Sequence, residues 1–238
     1  MSNLQDTWVY LSASPLFHLT LTLVAFQLGS WIYERSGRHP MLNPVLLAVI
    51  VIVGVLLATR TDYGTYFEGA QFVHFLLGPA TVALAVPLYR QLDRVRSSAL
   101  ALVVSLVAGS VTAILSAILI GRMSGATPQI LASLAPKSAT TPVAMGITEQ
   151  LGGVPTLTAV LVIVTGIVGA MLGPMVMTLL GVTDWTARGL AMGTASHGIG
   201  TARALQVSET AGAFSGLAMG LNALATALLL PVIWGLLS

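Results

Sequence analysis

Lys137 is the only lysine in 238 residues, and it sits in the apolar, proline-flanked tract Leu134-Ala135-Pro136-Lys137-Ser138-Ala139-Thr140-Thr141-Pro142. A lone ammonium between hydrophobic segments is costly, and such a group is read by default as functional. About sixty residues later a second polar interruption, Ala195-Ser196-His197-Gly198-Ile199-Gly200-Thr201-Ala202-Arg203, brings a guanidinium, an imidazole and two hydroxyls. A guanidinium grips a planar carboxylate through two parallel bonds, whereas an ammonium acts as a compact charge. Lys137 and Arg203 therefore point to an anion and are expected to converge on one pocket. Ser138, Thr140, Thr141, Ser196 and Thr201 add hydroxyls. Helices interrupted at Pro136, Pro142, Gly198 and Gly200 would turn unpaired N–H groups toward a negative ligand.

Helical spacing beyond the glycines lines up His197, Thr201, Ala204 and Ser208, a polar stripe expected to face the cavity. An imidazole titrates near neutral pH, so His197 is a candidate proton carrier; the plainer role, a hydrogen bond to a neighbour, is preferred. Glu149 and Glu209 are candidates to accept protons or to pair with Lys137 and Arg203. Their plainer role, also preferred, is to end helices at the cytoplasmic interface. Asn222, inside the last apolar stretch, either completes the site or bridges helices, and bridging is preferred. For Lys137 the alternative is a side chain snorkelling to the headgroups, which two prolines and adjacent hydroxyls make the weaker reading.

The elements that must position these groups are set by composition. With 55% hydrophobic and 8% charged residues and a mean hydropathy of +0.90, the chain is an integral membrane protein rather than a soluble domain. A net charge of +2 provides no basic field for nucleic acid. There is no cysteine, hence no disulfide framework or thiolate chemistry. Four scattered histidines make no metal site, no cofactor is expected, and no nucleophile with an adjacent base suggests an enzyme. The Gly198-Ile199-Gly200 pair lacks the βαβ setting of a dinucleotide loop. The start, Met1-Ser2-Asn3-Leu4-Gln5-Asp6, lacks a basic n-region, so the first apolar segment is expected to be retained.

Crossing about 30 Å of hydrocarbon takes about 20 apolar residues. Stretches 13–33, 41–59, 98–121, 156–180 and 213–237 read as plain spans. Segments 67–90, 129–150 and 188–208 are apolar but marked by Gly, Pro, Thr or charge. They are expected to be discontinuous or re-entrant, lying inside the bundle where freed backbone groups find partners. The fold expected is thus a single all-α polytopic membrane domain over 1–238 with about eight membrane segments. Arg35 and Arg38, then Arg90, Arg94 and Arg96, mark alternate loops as cytoplasmic. A shift of sixty matches Ala135/Ala195, Thr141/Thr201, Ala144/Ala204, Glu149/Glu209 and Gly152/Gly212. A shift of 59 matches Ala80/Ala139, Thr81/Thr140, Ala85/Ala144, Gln91/Gln150 and Leu92/Leu151. Each unit is a broken helix followed by a plain one, the pattern of transporters built from repeats around a central substrate.

Three motifs occur in order: Gly78-Pro79-Ala80-Thr81-Val82-Ala83-Leu84-Ala85-Val86-Pro87-Leu88-Tyr89; Pro136-Lys137-Ser138 with Thr140-Thr141-Pro142; and Ala195 to Arg203. On these the chain closely resembles the LrgB/CidB family, including YohK-like proteins, from Pro15 to Pro231. The resemblance implies one of two functions. Plant relatives fused to an LrgA-like part are plastid glycolate/glycerate transporters, and bacterial members are linked to small carboxylates such as pyruvate, so a carrier of 2-hydroxy or 2-keto monocarboxylates is implied, with proton coupling open. The family was first described as holin/antiholin-like modulators of murein hydrolase activity and lysis, which is the alternative. The resemblance also implies an LrgA/CidA-like membrane partner and a homo- or hetero-oligomer in the bacterial cytoplasmic membrane.

Overall fold

The computed structural model describes residues 14–83 and 85–237, all helical where regular; the expectation for Met1 to Asp6 lies outside the described residues. Five stretches among them are long and apolar enough to cross a membrane: Pro15–Arg35, Tyr63–Pro87, Ala99–Met123, Pro155–Leu179 and Glu209–Leu237. The chain is a polytopic membrane protein. It divides after Ala83 into two compact units.

The first unit holds α1 (Pro15–Arg35), a 3-10 turn (Pro40–Leu42), α2 (Pro44–Thr59), α3 (Tyr63–Phe75) and α4 (Leu77–Ala83). The expected span 41–59 forms only the 16-residue α2, about 24 Å long and short of the hydrocarbon thickness. Its ends are fixed locally: the Asn43 carboxamide accepts from Val45 N and Leu46 N, and Arg60 closes the helix in the left-handed region at φ 53°. Gly29 lets α1 and α2 touch, since a Cβ there would lie 2.7 Å from the Pro44 carbonyl oxygen. Thr22 Oγ1 and Tyr66 Oη share a hydrogen bond of 2.9 Å that ties α1 to α3.

The second unit holds α5 (Ala85–Arg90), α6 (Leu92–Ser97), α7 (Ala99–Met123), α8 (Pro128–Leu134), α9 (Thr141–Gln150), α10 (Pro155–Leu179), α11 (Trp185–Val207) and α12 (Glu209–Leu237). The expected break in 67–90 falls across α3, α4 and α5. Helices α7 and α12 run parallel: Ser98 and Thr210, at their N-termini, line one small cavity beside the 3.1 Å ion pair of Arg90 in α5 with Glu209, Ser110 meets Asn222 midway, and Arg122 reaches the Leu237 carbonyl at their C-termini. Helix α10 runs the other way between the same two ends, called below the Arg90 end and the Arg122 end.

Segment 188–208 does not cross. His197 interrupts α11 with φ 41° and ψ −134°, and a Cβ on Gly200 would lie 2.6 Å from the Met192 carbonyl oxygen. Eight residues of straight helix would separate those positions by about 12 Å. The chain doubles back at His197, and its partners confirm it. Gly193 and Thr201 both meet Ser215, while Gly189 meets Ala211 and Leu205 meets Gly212. One arm descends from the Arg90 end and the other returns to it.

Segment 129–150 does the same from the opposite face. Residues 135–140 separate α8 from α9. Their arms lie side by side, Thr148 Oγ1 donating to the Ala132 carbonyl at 3.4 Å. Ser133, Thr148 and Thr158, each fully buried, pin this hairpin to the start of α10: Thr148 and Thr158 hydroxyls pair at 2.8 Å, Thr158 Oγ1 donates to the Ser133 carbonyl, and Val154 N donates to Ser133 Oγ. Gly121 leaves room for Leu131, keeping the entrance of the hairpin beside the end of α7. Both arms thus open to the Arg122 end. Two of the eight expected passes are therefore re-entrant, and the two loops between them, after α9 and after α10, lie on the side opposite to the one expected. Glu149 lies at the Arg122 end and not, as expected, on the side of Glu209 and Arg90.

Candidate functional site

Non-helical backbone at membrane depth survives only where protein or water satisfies it, and here the two hairpin tips satisfy each other through Asn222. That residue is 1% exposed and one position from the middle of the 29-residue α12. Its Nδ2 donates to the Ser138 carbonyl in the first tip at 3.0 Å and to the Thr194 carbonyl beside the second at 3.1 Å. Its Oδ1 accepts from Ser110 Oγ of α7 at 2.5 Å. Carbonyl oxygens only accept, so the amide group must face both tips and its orientation is fixed. Asn222 bridges helices.

A cavity of about 800 Å³ runs from the first turn of α11, at Ala187, to the tips. Its polar lining is Ser105 of α7, Lys137 and Ser138 of the first tip, Thr165 of α10, and Thr194 and Ser196 of α11; the rest is apolar or glycine, including Gly109 and Gly169. Lys137 Nζ is 3.4 Å from Ser138 Oγ, and the ammonium is partly buried. Ser196 is 1% exposed, and among the described residues its Oγ has no hydrogen-bond partner. A buried hydroxyl left unpaired is unfavourable by about 1–3 kcal/mol. An ammonium and an unsatisfied hydroxyl lining one largely apolar cavity are an arrangement that a small anion with a second oxygen would complete.

Glycines on α10 make the second tip fit. A Cβ on Gly166 would lie 2.6 Å from the His197 ring, one on Gly173 would lie 2.8 Å from Met192 Sδ, and one on Gly169 would overlap Ser196 Oγ. This spacing, Gly166-x-x-Gly169-x-x-x-Gly173, is visible in the sequence as a small-residue face, but it lies in a span that otherwise reads as plain. Ser105, Thr165 and Thr194 are likewise not legible in the sequence, because single hydroxyls in apolar helices carry no directional signal.

Several expected site residues lie elsewhere. Arg203 stands on the returning arm of the second hairpin, six residues from the tip toward the Arg90 end, and is not among the residues lining the Lys137 cavity. The two cations do not share that pocket. The stripe His197, Thr201, Ala204 does not face the cavity either. His197 Nε2 donates to the Val162 carbonyl of α10 at 2.9 Å. Thr201 Oγ1 pairs with Ser215 Oγ and with the His197 carbonyl, each at 2.9 Å, and Ala204 is buried. Ser208 caps the start of α12 by accepting from Ala211 N. The break sits on His197 and not on Gly198 or Gly200; Gly200 instead permits the close approach of the two arms. Thr140 is the residue before α9 and Thr141 its first, both partly buried and outside the cavity lining. Glu209 pairs with Arg90, both exposed, and Glu149 is exposed near the end of α9.

Comparison with known proteins agrees with this architecture in extent. Residues 22–236 match the family model described as LrgB-like. The chain is 36% identical over 208 residues to the uncharacterized protein YwbG of Bacillus subtilis, covering 87% of this chain and 92% of that one. It is 33% identical over 215 residues to the holin-like protein CidB of Staphylococcus epidermidis (90% and 93% covered), and 27% identical over 219 residues to the antiholin-like protein LrgB of Bacillus cereus (92% and 95%). No solved structure matches the chain. On the family match and these near full-length relatives, the chain is a polytopic membrane protein of the LrgB-like family.

Proposed function

We propose that this protein is a carrier of small 2-hydroxy or 2-keto monocarboxylates across the bacterial cytoplasmic membrane. The observation that carries the reading is the meeting of two hairpin tips from opposite faces at the middle of α12, with Lys137 at the foot of a cavity beside them. A helical block of hairpin plus crossing helix recurs with inverted direction at a spacing of sixty residues, Lys137 in one tip answering His197 in the other. Inverted blocks with substrate held between them at the midplane are the general plan of secondary carriers. In this reading Lys137 neutralises the carboxylate, and Ser138 and Ser196 meet its second oxygen. In this reading the acid enters from the Arg90 end, along the cavity that begins at Ala187. That end carries Arg90, Arg94, Arg96 and Arg188 and is assigned to the cytoplasm by the excess of positive charge.

A second reading, a holin/antiholin-like regulator of lysis, is favoured by the names of the CidB and LrgB relatives. A pore-former has no need of one buried ammonium between opposed tips, and on this ground the carrier is preferred. An LrgA/CidA-like partner belongs to either reading. Uptake of labelled glycolate, lactate and pyruvate into liposomes, with and without such a partner, separates them. Saturable uptake abolished in Lys137→Ala supports the carrier; unsaturable leakage of unrelated dyes supports the holin.

A further inference from the structure

We infer that Asn222 is a latch that holds the two hairpin tips together, a positioning residue on which the opening of either tip depends. Each tip is bound at its base by its own helix pair: the first by the Ser133, Thr148 and Thr158 hydroxyls, the second by Arg188 on the Pro174 carbonyl and Thr178. Between the tips, Asn222 alone among the described hydrogen bonds touches both. One amide nitrogen serves two carbonyls that belong to segments 84 and 28 residues away, and Ser110 anchors the other side of the carboxamide from α7. The first tip cannot leave without breaking the bond to Ser138, nor the second without breaking the bond to Thr194. When one tip leaves, the other keeps its bond, so the site is closed on one side while it opens on the other. The latch rests on the carrier reading only for that last consequence, since the bonds exist whatever is transported.

The chain has no cysteine, so single cysteines report tip opening directly. Ser138→Cys and Ser196→Cys place a nearly isosteric thiol at each tip, where exposure is 6% and 1%. Ser133→Cys, at a fully buried position, reports the base of the first hairpin. Alkylation by a water-soluble maleimide is followed in purified protein with Asn222 intact, with Asn222→Asp and with Asn222→Leu. Both substitutions should speed alkylation at both tips by about threefold or more, the equilibrium equivalent of one interhelical bond of typical membrane strength, with Ser133→Cys unchanged. Unchanged rates at the tips overturn the latch. Equal acceleration at Ser133→Cys also overturns it, because Asn222 would then serve the fold as a whole. Liposome uptake by the cysteine-free chain is measured alongside: absence of uptake sinks the carrier reading and leaves the alkylation result to decide the latch.

Discussion

Ser196 Oγ occupies the space that a side chain on Gly169 would need, so the depth of the second hairpin against α10 is set by one missing methyl group. Gly169→Ala should push the tip outward. Overpacking of this kind typically costs about 1–3 kcal/mol, and a drop in the unfolding temperature of the purified protein is the readout. Gly146→Ala, where a Cβ would meet nothing within 4 Å, should be neutral or slightly stabilising in the same helix-rich setting.

His197 carries a side chain at a backbone conformation that favours glycine, a strain of about 1–3 kcal/mol. Its ring in return bonds the Val162 carbonyl. Both His197→Ala and His197→Gly lose that bond, but only the glycine relieves the backbone. The glycine variant should therefore unfold at the higher temperature of the two, reversing the ordinary helix order in which glycine is worse than alanine by about 1 kcal/mol. Equal or inverted temperatures would show that residue 197 is not strained.

Lys137→Arg keeps the charge but changes its shape, and a guanidinium is not a conservative replacement for a compact ammonium. In the uptake assay Lys137→Arg should retain measurable transport with a raised KM, while Lys137→Ala should lose it. Arg203→Ala, outside the cavity lining, should lower the rate less than Lys137→Ala. Equal loss from both would restore the shared pocket that the sequence suggests and the geometry does not.

Much of the architecture is legible in the chain because its signals are local. The proline-flanked tract around Lys137 and the polar run around His197 announce the two breaks, and the apolar lengths of α7, α10 and α12 announce three crossings. Re-entrance is not legible, because a hairpin of two short arms has the same hydropathy as one broken span. Arg203 lies deep within segment 188–208, yet depth along a segment does not say whether the segment goes through or turns back. The glycines of α10 and the hydroxyls of Ser105 and Thr165 are illegible for a different reason. Their meaning lies in what packs against them, and that is a property of the fold rather than of the span that carries them.

The most direct test of the account is the sidedness of Glu149 and Glu209. Both are exposed, one near the end of the first hairpin and the other at the start of α12, and the chain offers a cysteine-free background. Glu149→Cys and Glu209→Cys are to be labelled separately in sealed, oriented vesicles with a membrane-impermeant maleimide. Two re-entrant hairpins from opposite faces place the two thiols on opposite sides of the membrane. Labelling of both from the same side, as eight continuous crossings would give, contradicts the hairpins and with them the meeting of the tips at Asn222.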